Sequence, residues 1–317
     1  MAPGPPNSPP AAKPKTAFSM KLMNFIMLAV TLFWAANAVA GKFALRGFNP
    51  LALAQLRVAG TALGFLAIYF AWHGWPRQLS RRDWIFMGVG GLTGVTLNQL
   101  TYIDGLSRTS VAHTAWIIAL GPILVLALAS LMRMETLTAE KAWGMAIAFC
   151  GVGVLTIGRP PAGTGANWVG DLILLAGRLA FACFTILLKK GSDHYDSLTL
   201  NTLTFTAGAV LMIPFSFTAL VHVHWKVIPA YAWEALAFMI LFGTLLAYLL
   251  YAFVLTVMTA SQAISFVYLS PLMTIGLGVW LLTETLTWKV GVAGALILLG
   301  LYFTGQGGAE SLGATEQ

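Results

Sequence analysis

Charge is scarce in this chain. Only 9% of its 317 residues are charged and 58% are hydrophobic, and a soluble protein of that length could not expose so few charges and stay in solution. Cysteine is nearly absent. Cys150 and Cys183 both fall inside apolar runs, which excludes a disulfide framework and reads as two small buried packing residues. The chain has no Walker sequence, so ATP does not drive a cycle through it. Neither a Ser/His/Asp order nor clustered carboxylates suggest hydrolysis. His222 and His224 have no third ligand at useful spacing, so no metal and no other cofactor is expected. The basic residues are dispersed rather than interleaved with aromatics on one face, which leaves nucleic-acid binding without support.

What the chain does have is apolar sequence in repeated runs of about 20 residues, enough to cross roughly 30 Å of hydrocarbon. The fold class expected is an all-α integral membrane protein whose partner is the lipid bilayer. Spans are read at 20–41, 50–72, 84–104, 110–132, 138–158, 169–188, 197–221, 232–254, 259–281 and 287–305, which makes ten transmembrane helices. Residues 1–17, rich in Pro, Ala and Lys, read as a disordered cytoplasmic tail. Residues 18–158 form a first five-helix unit, 169–305 a second, and 306–317 a short C-terminal tail. Ala38-Val39-Ala40 resembles a signal-cleavage site, but the apolar core before it is long for a signal and its removal would break the pattern of five.

The formal charge of +7 is a topology signal. With the amino terminus inside, ten basic residues lie in cytoplasmic segments, among them Lys21, Arg81, Arg82, Arg133, Lys141, Lys189 and Lys190, against six on the opposite side. Both termini are therefore expected in the cytoplasm, with a bacterial inner membrane as the location.

Residues 94–151 and 243–300 align without a gap at an offset of 149. Gly94 falls on Gly243, Tyr102 on Tyr251, Pro122 on Pro271 and Gly151 on Gly300, and Glu135-Thr136-Leu137-Thr138 recurs letter for letter as Glu284-Thr285-Leu286-Thr287. Fourteen of these 58 positions are identical, about three times what shared apolar composition would give. Further upstream, Trp34-Ala35-Ala36-Asn37 sits near Phe181-Ala182-Cys183-Phe184 at an offset of 147, with Lys42 on Lys189. Five spans per half is odd, so the two repeats must be inverted in the membrane, an arrangement that allows one conformation open to each side.

Trp34-Ala35-Ala36-Asn37, the stretch from Asn49-Pro50 to Arg57, and Gly105 to Ala112 leading to Pro122 and Glu135 resemble the drug/metabolite transporter superfamily. Ala260 through Ser270-Pro271-Leu272 to Glu284-Thr285-Leu286-Thr287 carries the pattern again. The likeness is to the EamA-type, ten-helix exporters and covers nearly the whole chain after the tail. It implies an inverted five-plus-five bundle around a central cavity, lined by helices three, four, eight and nine, and efflux of small metabolites. It also implies a basic residue common at the position of Arg57, which otherwise reads as structural.

Polar groups deep in apolar helices cost free energy unless they face protein, water or ligand. Arg178 lies near the middle of the sixth span with Phe181 and Thr185 on its face, and reads either as a clamp for a substrate carboxylate or as a structural salt bridge or hydrogen bond. Asn98, Gln99 and Tyr102 share helical spacing, as do Tyr248 and Tyr251, and His113 with Trp116; His113 falls on Gln262 in the repeat. Together with Asn37 these are the candidate substrate-binding residues, offering amides, phenols and rings to a small amphiphilic solute. His113 also reads as a structural or proton-relay group. Pro122 and Pro271, mid-span in equivalent helices, should kink them and are the candidate gating positions. Glu135 and Glu284 are expected to cap helices five and ten.

The function expected is a secondary transporter, an exporter of small organic metabolites such as amino acids, working by alternating access and not as an enzyme. A membrane-embedded lipid-modifying enzyme would need paired polar groups that these short loops supply poorly. A non-transporting receptor would leave the inverted repeat unexplained.

Overall fold

The computed structural model describes residues 19–73, 80–108, 117–156, 168–282 and 288–313, and every regular element among them is helical. Helix α1 is Met20–Ala44 and α2 is Pro50–His73. Helix α3 covers 81–108 in three pieces: Arg81–Gly90, a π-helical segment Gly91–Leu97, and Asn98–Arg108. Helices α4 (Gly121–Leu131), α5 (Ala139–Thr156), α6 (Trp168–Gly191) and α7 (Ser197–Val221) follow. Helix α8, Ala230–Val254, is interrupted by the π-helical segment Leu241–Leu246. Helix α9 covers 260–282 as Ala260–Ser265, a 3-10 turn Phe266–Leu269, and Ser270–Leu282; α10 is Trp288–Gly313. Helix α10 thus continues past 305, into the stretch expected as tail.

Local chemistry explains several helix starts. Ser80 and Asp83 form a capping box on α3, with Ser80 N–H donating to Asp83 Oδ2 at 2.7 Å and Asp83 N–H donating to Ser80 Oγ at 3.3 Å. Asp196 accepts from the N–H groups of Leu198 and Thr199 at 3.0 Å each and so opens α7. Thr138 accepts from the Lys141 N–H at 3.3 Å and opens α5.

Among the described residues seven segments are long and apolar enough to cross a membrane: Met20–Gly41, Pro50–His73, Trp168–Gly191, Ser197–Val221, Ala230–Val254, Ala260–Leu277 and Trp288–Gln306; Ile117–Leu131 is a shorter apolar helix. Their outward faces are apolar. Phe25, Leu63, Val210 and Leu298 are exposed in mid-helix, while exposed Trp72, Trp84, Trp143, Trp168 and Trp288 lie near helix ends, as the headgroup zone of a bilayer favours. Cys150 and Cys183 are also exposed and not buried as expected. A small apolar side chain facing lipid loses nothing there, so a hydrophobic run in such a chain does not distinguish core from perimeter.

Glycines set the closest helix contacts. A Cβ on Gly144 of α5 would stand 2.6 Å from the Gly300 carbonyl oxygen of α10, and one on Gly151 would stand 3.0 Å from the Ala293 oxygen. These pairings make α5 and α10 antiparallel. Gln55 of α2 bonds Ala209 and Ser216 of α7, while Phe65 accepts from Thr202, so this pair is antiparallel too. Gly94 of α3 packs against the Phe184 ring of α6, and Gly243 of α8 against the Asn37 side chain of α1. Offsets of 149 and 147 convert the first of those two contacts into the second.

Neither proline kinks a continuous helix. Pro122 lies in the first turn of α4, after a turn at Leu120, and Pro271 is the second residue of Ser270–Leu282, after the 3-10 turn. At the start of a helix the absent N–H would have had no partner anyway, so proline is tolerated there. The expected bends are therefore realised as breaks, at matching places in α4 and α9.

Candidate functional site

The two π-helical segments are repeat mates, since Gly91–Leu97 moves onto 240–246 at the offset of 149. Each inserts a residue into its helix and releases a backbone group from the regular ladder, a distortion common at functional sites. Thr96 donates to the Gly208 carbonyl at 3.2 Å, and Thr244 donates to the Met239 carbonyl at 2.8 Å, so threonines supply bonds around both bulges. Small residues permit the distortion: a Cβ on Gly91 would meet Gly208 N at 2.6 Å. The polar positions Asn98, Gln99, Tyr102, Tyr248 and Tyr251 all follow directly on these bulges.

Arg178 Nη2 donates to Asn98 Oδ1, and its guanidinium lies over the Phe181 ring, 5.7 Å from the centroid. Arg57 of α2 and Arg178 of α6 both interact electrostatically with the same two phenols, Tyr248 and Tyr102. Among the described residues no carboxylate lies within ion-pairing distance of either arginine, and Arg57 Nε is buried without a hydrogen-bond partner. The open alternative for Arg178 is therefore narrowed: among the described residues it makes a hydrogen bond and a ring contact but no salt bridge.

The aromatic wall comes from Trp34. Its ring meets Tyr248 edge-on at 5.9 Å and Tyr251 at 5.4 Å, while Phe205 meets Tyr248 at 5.0 Å. Tyr248 and Gln99 are half-buried and Tyr102 is 37% exposed. Tyr251 is fully buried and donates its hydroxyl to Thr185 at 3.2 Å, which makes it a support behind Tyr248. Asn37 packs on Gly243, and its Oδ1 is buried without a hydrogen-bond partner among the described residues. His113 and Trp116 lie outside the described residues.

Gln262 is used differently. With Thr259 it forms the capping box of α9, and its Nε2 donates to the Gly305 carbonyl at 3.1 Å. Its amide is spent on the start of α9 and on a carbonyl within α10, which leaves it bonded to protein. Gln262→Ala should cost about 0.5–2 kcal/mol of stability, read by denaturant unfolding in detergent, and leave the affinity for any transported solute unchanged.

Glu135 also departs from expectation. It does not cap α5, whose start is taken by Thr138. Instead it crosses to α9, where Oε1 accepts from the Ser261 N–H at 3.0 Å and Oε2 accepts from the Ser261 hydroxyl. Lys141, with no exposed surface, reaches Glu135 Oε2 at 3.1 Å. The carboxylate thus meets the positive end of a helix from the other half. Glu284 lies outside the described residues.

At this same end of the bundle two further links join the halves. Tyr195 donates to Asp83, and His73 Nε2 lies 3.5 Å from Asp196 Oδ2. Burial opposes ionisation of Asp196, but the Thr199 N–H and hydroxyl, the nearby His73 and the Leu198 N–H together hold its carboxyl below the ordinary value of 3.8. Stability from that carboxylate is complete above its unfolded value and is lost as pH falls through the lower folded one.

Sequence reasoning missed three participants: Trp34 as an anchor for both tyrosines, the convergence of Arg57 with Arg178, and the cross-half reach of Glu135. The first two carried a signal, a tryptophan and two arginines deep in apolar helices.

Residues 21–157 and 168–306 each match the model of the EamA-like transporter family. An uncharacterized transporter of Archaeoglobus fulgidus is 27% identical over 282 residues, covering 89% of this chain and 98% of the relative. The uncharacterized transporter YyaM of Bacillus subtilis is 28% identical over 287 residues, covering 89% and 93%. A crystal structure of a protein aligns with a TM-score of 0.74 at 19% identity, over 92% of this chain and 99% of its own; it shares the fold.

Proposed function

The chain belongs to the EamA-like transporter family, and from that premise we propose that it is a secondary transporter that exports small organic metabolites, amino acids and related amphiphilic solutes, by alternating access. Its relatives are named transporters, and its outer face is apolar as a bilayer requires. In this reading the chain forms ten transmembrane helices in two inverted repeats. The antiparallel pairs α2/α7 and α5/α10 support it, because each pairs a helix with its own repeat mate. An antiparallel pair of equivalent helices is what a two-fold axis in the membrane plane requires.

The observation that carries the reading is the polar and aromatic cluster around Tyr248. It draws Arg57 and Tyr102 from one half, and Arg178 and Tyr248 from the other. A solute held there touches both halves, so rocking one against the other exposes it first to one side and then to the other. Gln99 and Asn98 add amides to the same wall. The breaks before Pro122 and Pro271 let half-helices move separately, which fits a gating role. The end joined by Glu135–Ser261, Asp83–Tyr195 and His73–Asp196 is the cytoplasmic one in this orientation, with both termini on that side of a bacterial inner membrane; the conformation is closed there.

Counterflow tests the proposal. Purified protein in liposomes preloaded with an unlabelled mixture of amino acids and organic acids should accumulate at least one labelled member transiently, and Gln99→Ala should change its apparent affinity. Chemical conversion of a solute without movement would overturn the transport reading.

A further inference from the structure

Two arginines bracket the same phenols. Arg57 projects from α2 and Arg178 from α6, each within electrostatic reach of Tyr102 and Tyr248, and no described carboxylate pairs with either. Among the described residues the contacts of the two arginines are neutral: Asn98 accepts one bond from Arg178, Phe181 lies under it, and Arg57 Nε has no hydrogen-bond partner. Guanidinium groups stay charged at any pH a cell meets, so the cluster holds two positive charges in a low-dielectric setting. A single ion so placed costs several kcal/mol unless it is compensated.

Repeat symmetry speaks against a purely structural need for those charges. At the offset of 147, Arg57 falls on Thr204 and Arg178 falls on Thr31. Thr204 bonds the Leu200 carbonyl of its own helix at 2.8 Å, and Thr31 bonds the Met27 carbonyl at 2.8 Å. Each helix site is therefore satisfied in its mate by a small neutral side chain. The arginines depart from the repeat at two places, and both departures converge on the same tyrosines.

We propose that the solute is an organic anion, and that Arg57 and Arg178 together act as its counter-ions. The inference rests on the transport reading above and narrows its small organic metabolites to small carboxylates, away from neutral zwitterionic amino acids and preferring two negative charges over one. Charge balance gives that preference: a dianion neutralises the cluster, whereas a zwitterion adds a third buried cation. Guanidinium forks match carboxylate oxygens two at a time, and Tyr102 and Tyr248 can donate to the remaining lone pairs. Since one arginine belongs to each half, the anion also bridges the two rocking bodies.

Thermal unfolding of the detergent-purified full chain tests this with four probes: succinate, propionate, inorganic phosphate and leucine. Succinate should raise the melting temperature most and propionate less, with leucine producing no shift. A phosphate shift equal to that of succinate would mean that the site reads charge alone, which overturns the carboxylate assignment. Arg57→Gln and Arg178→Gln should each lower succinate affinity by tenfold or more, while Arg57→Lys and Arg178→Lys retain part of it, a rescue that separates binding from folding. Stabilisation by leucine alone, or no shift from any probe, overturns the proposal. Counterflow distinguishes the two readings. Leucine flux unaffected by Arg57→Gln would sink the anion site and leave transport standing, whereas succinate binding without flux would do the reverse.

Discussion

Lys141→Ala is expected to destabilise the protein by about 3–5 kcal/mol, because it leaves the Glu135 carboxylate buried without its cation. Lys141 has no exposed surface and Glu135 only 9%, and their charged atoms are 3.1 Å apart. The ammonium also donates to the Thr136 carbonyl at 3.3 Å, which satisfies a second group in the same turn. Removing the lysine deletes both bonds and adds the desolvation penalty of the surviving charge. The Ser261 N–H and hydroxyl would still hold the carboxylate, so the loss is large without being total. The pair can be separated from its surroundings by a second substitution. Lys141→Met with Glu135→Gln removes both charges, keeps an acceptor for the Ser261 N–H, and should cost far less than Lys141→Ala alone. Reversible denaturant unfolding in mixed micelles measures both; equal losses would mean that burial of charge is not what the lysine offsets. The same double variant weakens a bridge between the halves, so in liposomes it should shift the conformational balance and raise access of a water-soluble thiol reagent to a cysteine placed near Tyr102.

Gly300→Leu should be as damaging, through packing. A Cβ at Gly300 would lie 2.6 Å from the Ala148 nitrogen and 2.7 Å from the Ala148 Cβ, and across the interface Gly144 has the same problem with the Gly300 carbonyl. The obstacle is backbone on both sides, so no rotamer change relieves it and α5 must separate from α10. Overpacking costs about 1–3 kcal/mol where side chains can yield, and this site should sit at or above that range. Gly291→Leu is the control. It lies on the same helix, and among the described residues a Cβ there would meet nothing within 4 Å, so it should leave the melting temperature and the monodispersity of the purified protein unchanged. Equal losses in the two variants would show that leucine, and not helix contact, is the cause.

Much of the architecture was legible in the chain because bilayers impose strong rules. Apolar runs of the right length located the helices of the seven membrane-spanning candidates to within a few residues. The duplication fixed which segments correspond, including the breaks at Pro122 and Pro271. Polar residues after Gly94 and Gly243 marked the cluster, since each is costly in an apolar helix. The candidate site was read less evenly. Tyr248 and Arg178 were recognisable as polar outliers. Gln262 and Glu135 were also outliers, but their partners, Gly305 and Ser261, are distant in sequence and neutral in type. No spacing rule connects a carboxylate to a helix start 126 residues away. Cys150 and Cys183 erred in the opposite direction, because inside and outside are equally apolar in a chain of this kind.

Sequence by itself determined the solvent: scarce charge and long apolar runs make a helical membrane protein, and an offset repeat makes it two copies of one unit. Only the tertiary structure decided which polar side chains meet. Helix periodicity orients a residue on its own helix, but the direction it faces depends on rotation and on local bulges such as Gly91–Leu97 and Leu241–Leu246. Tyr102 and Tyr248 follow those bulges and lie within electrostatic reach of Arg57 and Arg178, and contacts between distant helices carry no local signature in the chain.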